Sequence, residues 1–135
     1  MTLKLRHPAD QSCHAIVADD DDDTRALIAA ALRRAGFEVS EASNGRELVS
    51  SFAALLPSPS VVVSDIGMPE VDGIAATIAL RERAPDIPIL LVTAFGDPST
   101  VRDAQRAGAN RVLLKPLNMS ALVTAVLELV AKVPV

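Results

Sequence analysis

The apolar residues of this 135-residue chain change period repeatedly: short runs alternate with stripes at steps of three and four. The run HAIVA at 14–18 reads as a short buried strand. Leu27, Ile28, Ala31 and Leu32 then recur at helical spacing between Thr24 and Ala35, with Gly36 as the stop. Phe37 and Val39 alternate with Glu38 and Ser40, which suggests a half-exposed strand. Leu48, Val49, Phe52, Leu55 and Leu56 form a second helical stripe, ended by Pro57 and Pro59. Val61, Val62 and Val63 are β-branched neighbours of the kind found in a strand covered on both faces. A loop with Gly67, Pro69 and Gly73 leads to a helix reaching about Ala84, with Ile74, Ala75 and Ile78 expected inward. Pro85 and Pro88 bracket a turn, and Ile87 with Ile89 to Val92 makes a fourth strand. Pro98 opens a short helix that stops at Gly108, and Val112 to Leu114 make a fifth strand. Met119, Leu122, Val123, Val126, Leu127 and Val130 line the last helix.

Five strand–helix repeats in so short a chain imply one α/β domain: a doubly wound, five-stranded parallel sheet with helices on both faces. Residues 1–12 read as an N-terminal tail and 13–135 as the folded domain. One cysteine, Cys13, excludes an intramolecular disulfide framework and a multi-cysteine metal site. No run approaches a membrane span, and Met1 to Ser12 lack the apolar core of a signal peptide, so a cytoplasmic location is expected. The net charge of −4 has one source. Asp19 to Asp23 are five consecutive acids, and without them 12 acids face 13 bases. With no basic excess, Tyr or Trp, direct nucleic-acid binding has no compositional support.

The unusual polar residues fall at predicted strand ends. The Asp run follows strand one, Asp65 follows strand three, Thr93 strand four, and Lys115 strand five. Parallel strands end on one edge, where open α/β sheets bind ligands at the point of reversed strand order. With strand order 2-1-3-4-5, Asp19, Asp20 and Asp65 converge. Two such charges ~4 Å apart repel by about 4 kcal/mol at an effective dielectric near 20, so the cluster calls for a cation. Mg²⁺ suits carboxylates, waters and phosphate oxygens. A carboxylate nucleophile with a divalent cation, an ammonium and a hydroxyl is equipment for phosphoryl transfer. Asp21, Asp22 and Asp23 read instead as a solvated loop and helix start.

Four segments carry a resemblance: Ile16-Val-Ala-Asp-Asp20, Val63-Ser-Asp-Ile-Gly-Met-Pro69 with Asp72-Gly73, Val92-Thr-Ala94, and Leu113-Leu-Lys-Pro116. In this order they resemble the receiver domain of two-component response regulators, a CheY-like family. The resemblance implies a flavodoxin-like (βα)5 fold and a switch phosphorylated on Asp65. It implies Mg²⁺ held by Asp20, Asp65 and the Gly67 backbone carbonyl, with Asp19 acting through water. Thr93 and Lys115 would contact the phosphoryl group, and the Lys115–Pro116 peptide would be cis. Such a domain catalyses its own phosphorylation and dephosphorylation. Its donor would be a phosphohistidine on a sensor histidine kinase or a histidine phosphotransfer protein.

The family's usual surface for targets or a weak homodimer would here involve Val101, Arg102, Gln105, Arg106 and Arg111. Val112 stands where many relatives carry an aromatic residue, and Gly67 and Phe95 flank the site where side chains influence hydrolysis. Two other readings stay open. Asp20, Asp22 and Thr24 match the first motif of haloacid-dehalogenase-type phosphatases, and a receiver that is never phosphorylated would act as an interaction module. The chain reads either as a stand-alone regulator or as part of a longer one.

Overall fold

The valine run becomes the middle of a sheet. In a computed structural model, described for residues 13–131, β3 (Val61–Asp65) is buried at every position. The other strands are β1 (His14–Ala18), β2 (Glu38–Ala42), β4 (Ile89–Thr93) and β5 (Arg111–Leu114). All pairings are parallel and the order is β2-β1-β3-β4-β5. The helices are α1 (Asp22–Arg34), α2 (Gly45–Ala54), α3 (Gly73–Arg83), α4 (Pro98–Ala107) and α5 (Met119–Ala131). The expected tail, residues 1–12, lies outside the described residues. No described helix is long and apolar enough to cross a membrane.

Alternation along each strand divides the core in two. Ile16, Val62, Ile89 and Leu91 face one side with Leu48, Phe52, Ala76, Leu80 and Ala104 of α2, α3 and α4. Ala15, Val17, Val61, Val63, Leu90 and Val92 face the other with Ile28, Leu32, Leu122, Ala125 and Val126 of α1 and α5. Truncating a large member such as Leu91 to Ala would cost about 2–5 kcal/mol. Each helix starts on a short polar cap. Asp21, Asn44, Asp72 and Asp97 accept an N–H from the first turns of α1 to α4, and Asn118 accepts from Ala121 in α5. At the opposite edge the Arg81 guanidinium donates to the carbonyls of Gly108 (2.7 Å), Ile87 (2.6 Å) and Ala84 (3.1 Å), tying the end of α3 to the end of α4.

The structure corrects several details, among them Ile87, which lies before β4. Asp65 and Thr93 are the last residues of β3 and β4, not the first beyond them. Leu56 is 90 % exposed and outside α2, which ends at Ala54 with Leu55 already extended as its C-cap. The inward face of α3 is Gly73, Ala76, Thr77 and Leu80, whereas Ala75 is exposed and Ile78 is 51 % exposed. From Gly73 to Leu80 this helix carries no charge on any side, so periodicity could not choose a face. Close approach to the sheet chose it: a Cβ on Gly73 would lie 2.3 Å from the Asp65 carbonyl oxygen.

Candidate functional site

At the C-terminal edge of the sheet, β1 and β3 are neighbours. Pairing of Ala18 with Ser64 sets the next residues, Asp19 and Asp65, side by side. One carboxylate oxygen each from Asp19, Asp20 and Asp65 lies within 4.8 Å of the others. Asp19 and Asp65 are buried, and Asp20 is exposed at the rim. The Lys115 ammonium reaches in from the end of β5, 3.6 Å from Asp19 Oδ2 and 3.5 Å from Asp65 Oδ2. Lys115 N–H also donates to the Thr93 carbonyl at 2.8 Å, and the Lys115–Pro116 peptide is cis.

The charges are under-compensated. Burial raises the Asp65 carboxyl above its ordinary pKa, Asp19 raises it further, and Lys115 pulls the other way. Asp19 Oδ1 accepts the Asp21 N–H at 2.9 Å, but buried Oδ2 has no hydrogen-bond partner. A buried carboxylate oxygen without a hydrogen bond costs free energy, and Lys115 at 3.6 Å serves this one through charge alone while also facing Asp65. The three clustered carboxylates, Asp19 among them, offer hard oxygen donors that suit a divalent cation.

The remaining polar residues divide. Buried Thr93 accepts the Phe95 N–H on its hydroxyl at 2.9 Å, so its side chain is engaged with the loop after β4. Phe95 itself is 68 % exposed. Gly67 is exposed in the β3–α3 loop, and a Cβ there would meet no atom within 4 Å. Asp21 receives both the N–H and the hydroxyl of Thr24, and Asp22 pairs with Arg25 at 2.8 Å. Asp22 and Thr24 therefore serve the start of α1 rather than joining Asp20. Arg102, Gln105 and Arg106 are exposed, Val101 is half-buried, and Arg111 pairs with Glu128 at 2.9 Å. Val112 packs half-buried against the core beneath α2, α3 and α4.

One contact was not foreseen. Arg25, 16 % exposed, donates from Nη1 to the Asp19 carbonyl at 2.9 Å and from Nε to Glu41 of β2 at 3.1 Å. A lone arginine three residues after an acid, in the first turn of a helix, was its only trace in the sequence.

A family model, the response regulator receiver domain, matches residues 15–127. The chain belongs to the response regulator receiver domain family. This receiver is 35 % identical over 111 residues to the chemotaxis protein CheY of Thermotoga maritima, covering 82 % of this chain and 91 % of that one. It is 36 % identical over 107 residues to the regulatory protein AtoC of Escherichia coli, covering 79 % of this chain and 23 % of AtoC. The chain spans about a quarter to a half of the length of AtoC and of the regulators PrrA of Mycobacterium leprae and DctD of Pseudomonas aeruginosa. Its fold matches the solved CheX–CheY–BeF3–Mg²⁺ complex of Borrelia burgdorferi with a TM-score of 0.80 at 25 % identity, covering 86 % of this chain and 87 % of that one. The five-stranded parallel order is that of CheY-like proteins, and neither the phosphatase nor the unphosphorylated reading is favoured beside it.

Proposed function

We propose that this receiver takes a phosphoryl group from a phosphohistidine onto Asp65 and works as a signalling switch. The observation that carries the reading is the setting of Asp65, buried at a strand end between a second acid and the Lys115 ammonium. In the transfer, an Asp65 oxygen forms a bond to phosphorus. The N–P bond of the donor breaks, and its electron pair returns to the imidazole.

The Asp19 oxygen that lacks a hydrogen bond and the oxygen-only donor set fit Mg²⁺. Asp20, Asp65 and the Gly67 carbonyl would hold it, with Asp19 acting through water. Bound there, Mg²⁺ supplies positive charge to the phosphoryl oxygens. Lys115 adds a fixed positive charge. Thr93 would exchange its loop N–H for a phosphoryl oxygen, coupling the site to the exposed Phe95 loop. We read 13–135 as the receiver unit, a sensor histidine kinase or histidine phosphotransfer protein as donor, and the α4–β5–α5 surface as the output face.

The test is incubation with Mg²⁺ and acetyl phosphate, followed by intact mass measurement. One added phosphoryl group is expected in the parent and none in Asp65→Asn. A parent that stays unmodified, or an Asp65→Asn variant carrying the same adduct, refutes the reading. Retained phosphate-ester turnover that is lost only in Asp20→Asn would favour a phosphatase.

A further inference from the structure

The acids that face Asp65 stand on the turn between β1 and α1, and a turn holds a charged cluster in place only if its backbone is anchored. The Asp19 backbone is gripped from both sides. Its N–H donates to the Ala42 carbonyl of β2 at 3.1 Å, and its carbonyl accepts Arg25 Nη1 at 2.9 Å. The same guanidinium holds Asp22 at 2.8 Å and Glu41 at 3.1 Å, so one planar fork joins the turn, the first turn of α1 and β2. Asp22 is 83 % exposed and Glu41 33 % exposed, whereas the arginine side chain between them is 16 % exposed.

We infer that Arg25 is a positioning residue, whose fork fixes the Asp19–Asp20 turn so that its carboxylates present a pre-formed divalent-cation site to Asp65. The inference rests on the metal reading proposed above. Two carboxylates flank the single guanidinium, so its positive charge is balanced locally and does not oppose a cation nearby. Burial alone would weaken the Arg25 charge, and Asp22 and Glu41 more than offset it, holding the group above its ordinary pKa. Lysine cannot replace it, because one ammonium on a flexible stem does not reach acceptors on three elements in a fixed plane.

The control is Arg33, which ties the far end of α1 to β2 through Glu41 at 3.4 Å and the Val39 carbonyl at 3.2 Å without touching the Asp19–Asp20 turn. Arg33→Met should loosen the α1–β2 contact and leave the cation site alone.

The experiment follows backbone amide shifts of residues 19–24 while MgCl2 is added to the parent, Arg25→Met, Arg25→Lys and Arg33→Met. Amide hydrogen exchange at Asp21 without metal is the second readout, because that N–H bonds Asp19 Oδ1. Arg25→Met and Arg25→Lys should each weaken Mg²⁺ about tenfold, the lower range for removing a partner that orients metal ligands. Both should also speed exchange at Asp21. Arg33→Met should bind within twofold of the parent. If Arg25→Met does not fold, Arg25→Lys, which keeps charge and stem, decides. Parent-like Mg²⁺ affinity in a folded Arg25 variant overturns the inference, as does an equal loss in Arg33→Met. A parent whose shifts ignore Mg²⁺ overturns the metal reading itself and this inference with it.

Discussion

Replacing Lys115 with Met removes the only cation that touches the buried acid pair among the described residues, and the structure bounds the consequence. At 3.5 and 3.6 Å, each attraction is worth about 5 kcal/mol at an effective dielectric near 20 before screening. Lys115 is 26 % exposed, so water takes back a large share. A second limit is sharper. Without the lysine, folded Asp65 can keep a proton that the unfolded chain releases near its ordinary pKa of 3.8. Holding that proton costs about 4 kcal/mol at pH 7 and less than half of that at pH 5, at 1.36 kcal/mol per unit. The expected loss for Lys115→Met in EDTA is therefore ~2 kcal/mol at pH 7 and less than about 1 kcal/mol at pH 5. The sign follows from proton counts. A raised Asp65 binds more protons folded than unfolded above 3.8, so stability falls as pH rises through that window. Urea unfolding by far-UV circular dichroism measures it, since the chain has no Trp or Tyr for fluorescence. Excess Mg²⁺ should narrow the gap to the parent. A penalty that is equal at pH 5 and pH 7, or a variant more stable than the parent at pH 7, would refute the electrostatic account.

Gly67 in the β3–α3 loop and Gly73 at the start of α3 should behave oppositely. Gly73→Ala, whose Cβ would sit 2.3 Å from the Asp65 carbonyl, should cost about 2 kcal/mol or more by thermal unfolding and slow phosphorylation by displacing the strand end. Gly67→Asn should fold like the parent, as nothing obstructs its Cβ, yet change the lifetime of the Asp65 phosphoryl group, as should Phe95→Ala. Unchanged dephosphorylation by ³¹P NMR in both variants would discard the idea that these two positions set that lifetime. Asp97 accepts from Ser99 and Thr100, which hold its pKa down to about 2. Its cap on α4 should persist above pH 3.8 and be lost as pH falls from there through 2, readable as a carboxyl titration by NMR.

Most of the sheet was legible because a strand buried on both faces leaves an uninterrupted apolar run, as at Val61 to Val63. The strand-end residues were legible for a topological reason: parallel strands bring their C-terminal ends to one edge whatever lies between. What escaped was decided by distance rather than pattern. Ile78 and Ala76 are both apolar, and only the tight seat of Gly73 against β3 turned Ala76 inward. Thr93 could be placed at the edge, but its hold on the Phe95 N–H depends on how the loop folds back. Arg25 drew no notice because one of its three acceptors is a backbone carbonyl, which no side-chain pattern encodes.

The common starting edge of the five helices has a consequence for the field at the site. Since every strand runs one way, α1 to α5 all begin at the edge that carries Asp19, Asp20 and Asp65. A helix start carries the positive end of the helix dipole, about half an elementary charge. The backbone thus lends positive potential to the edge where the side chains gather negative charge. A site of carboxylates alone would welcome a cation and repel a phosphate. Here the main chain offsets part of that repulsion, so an anion and its counter-cation can be received together.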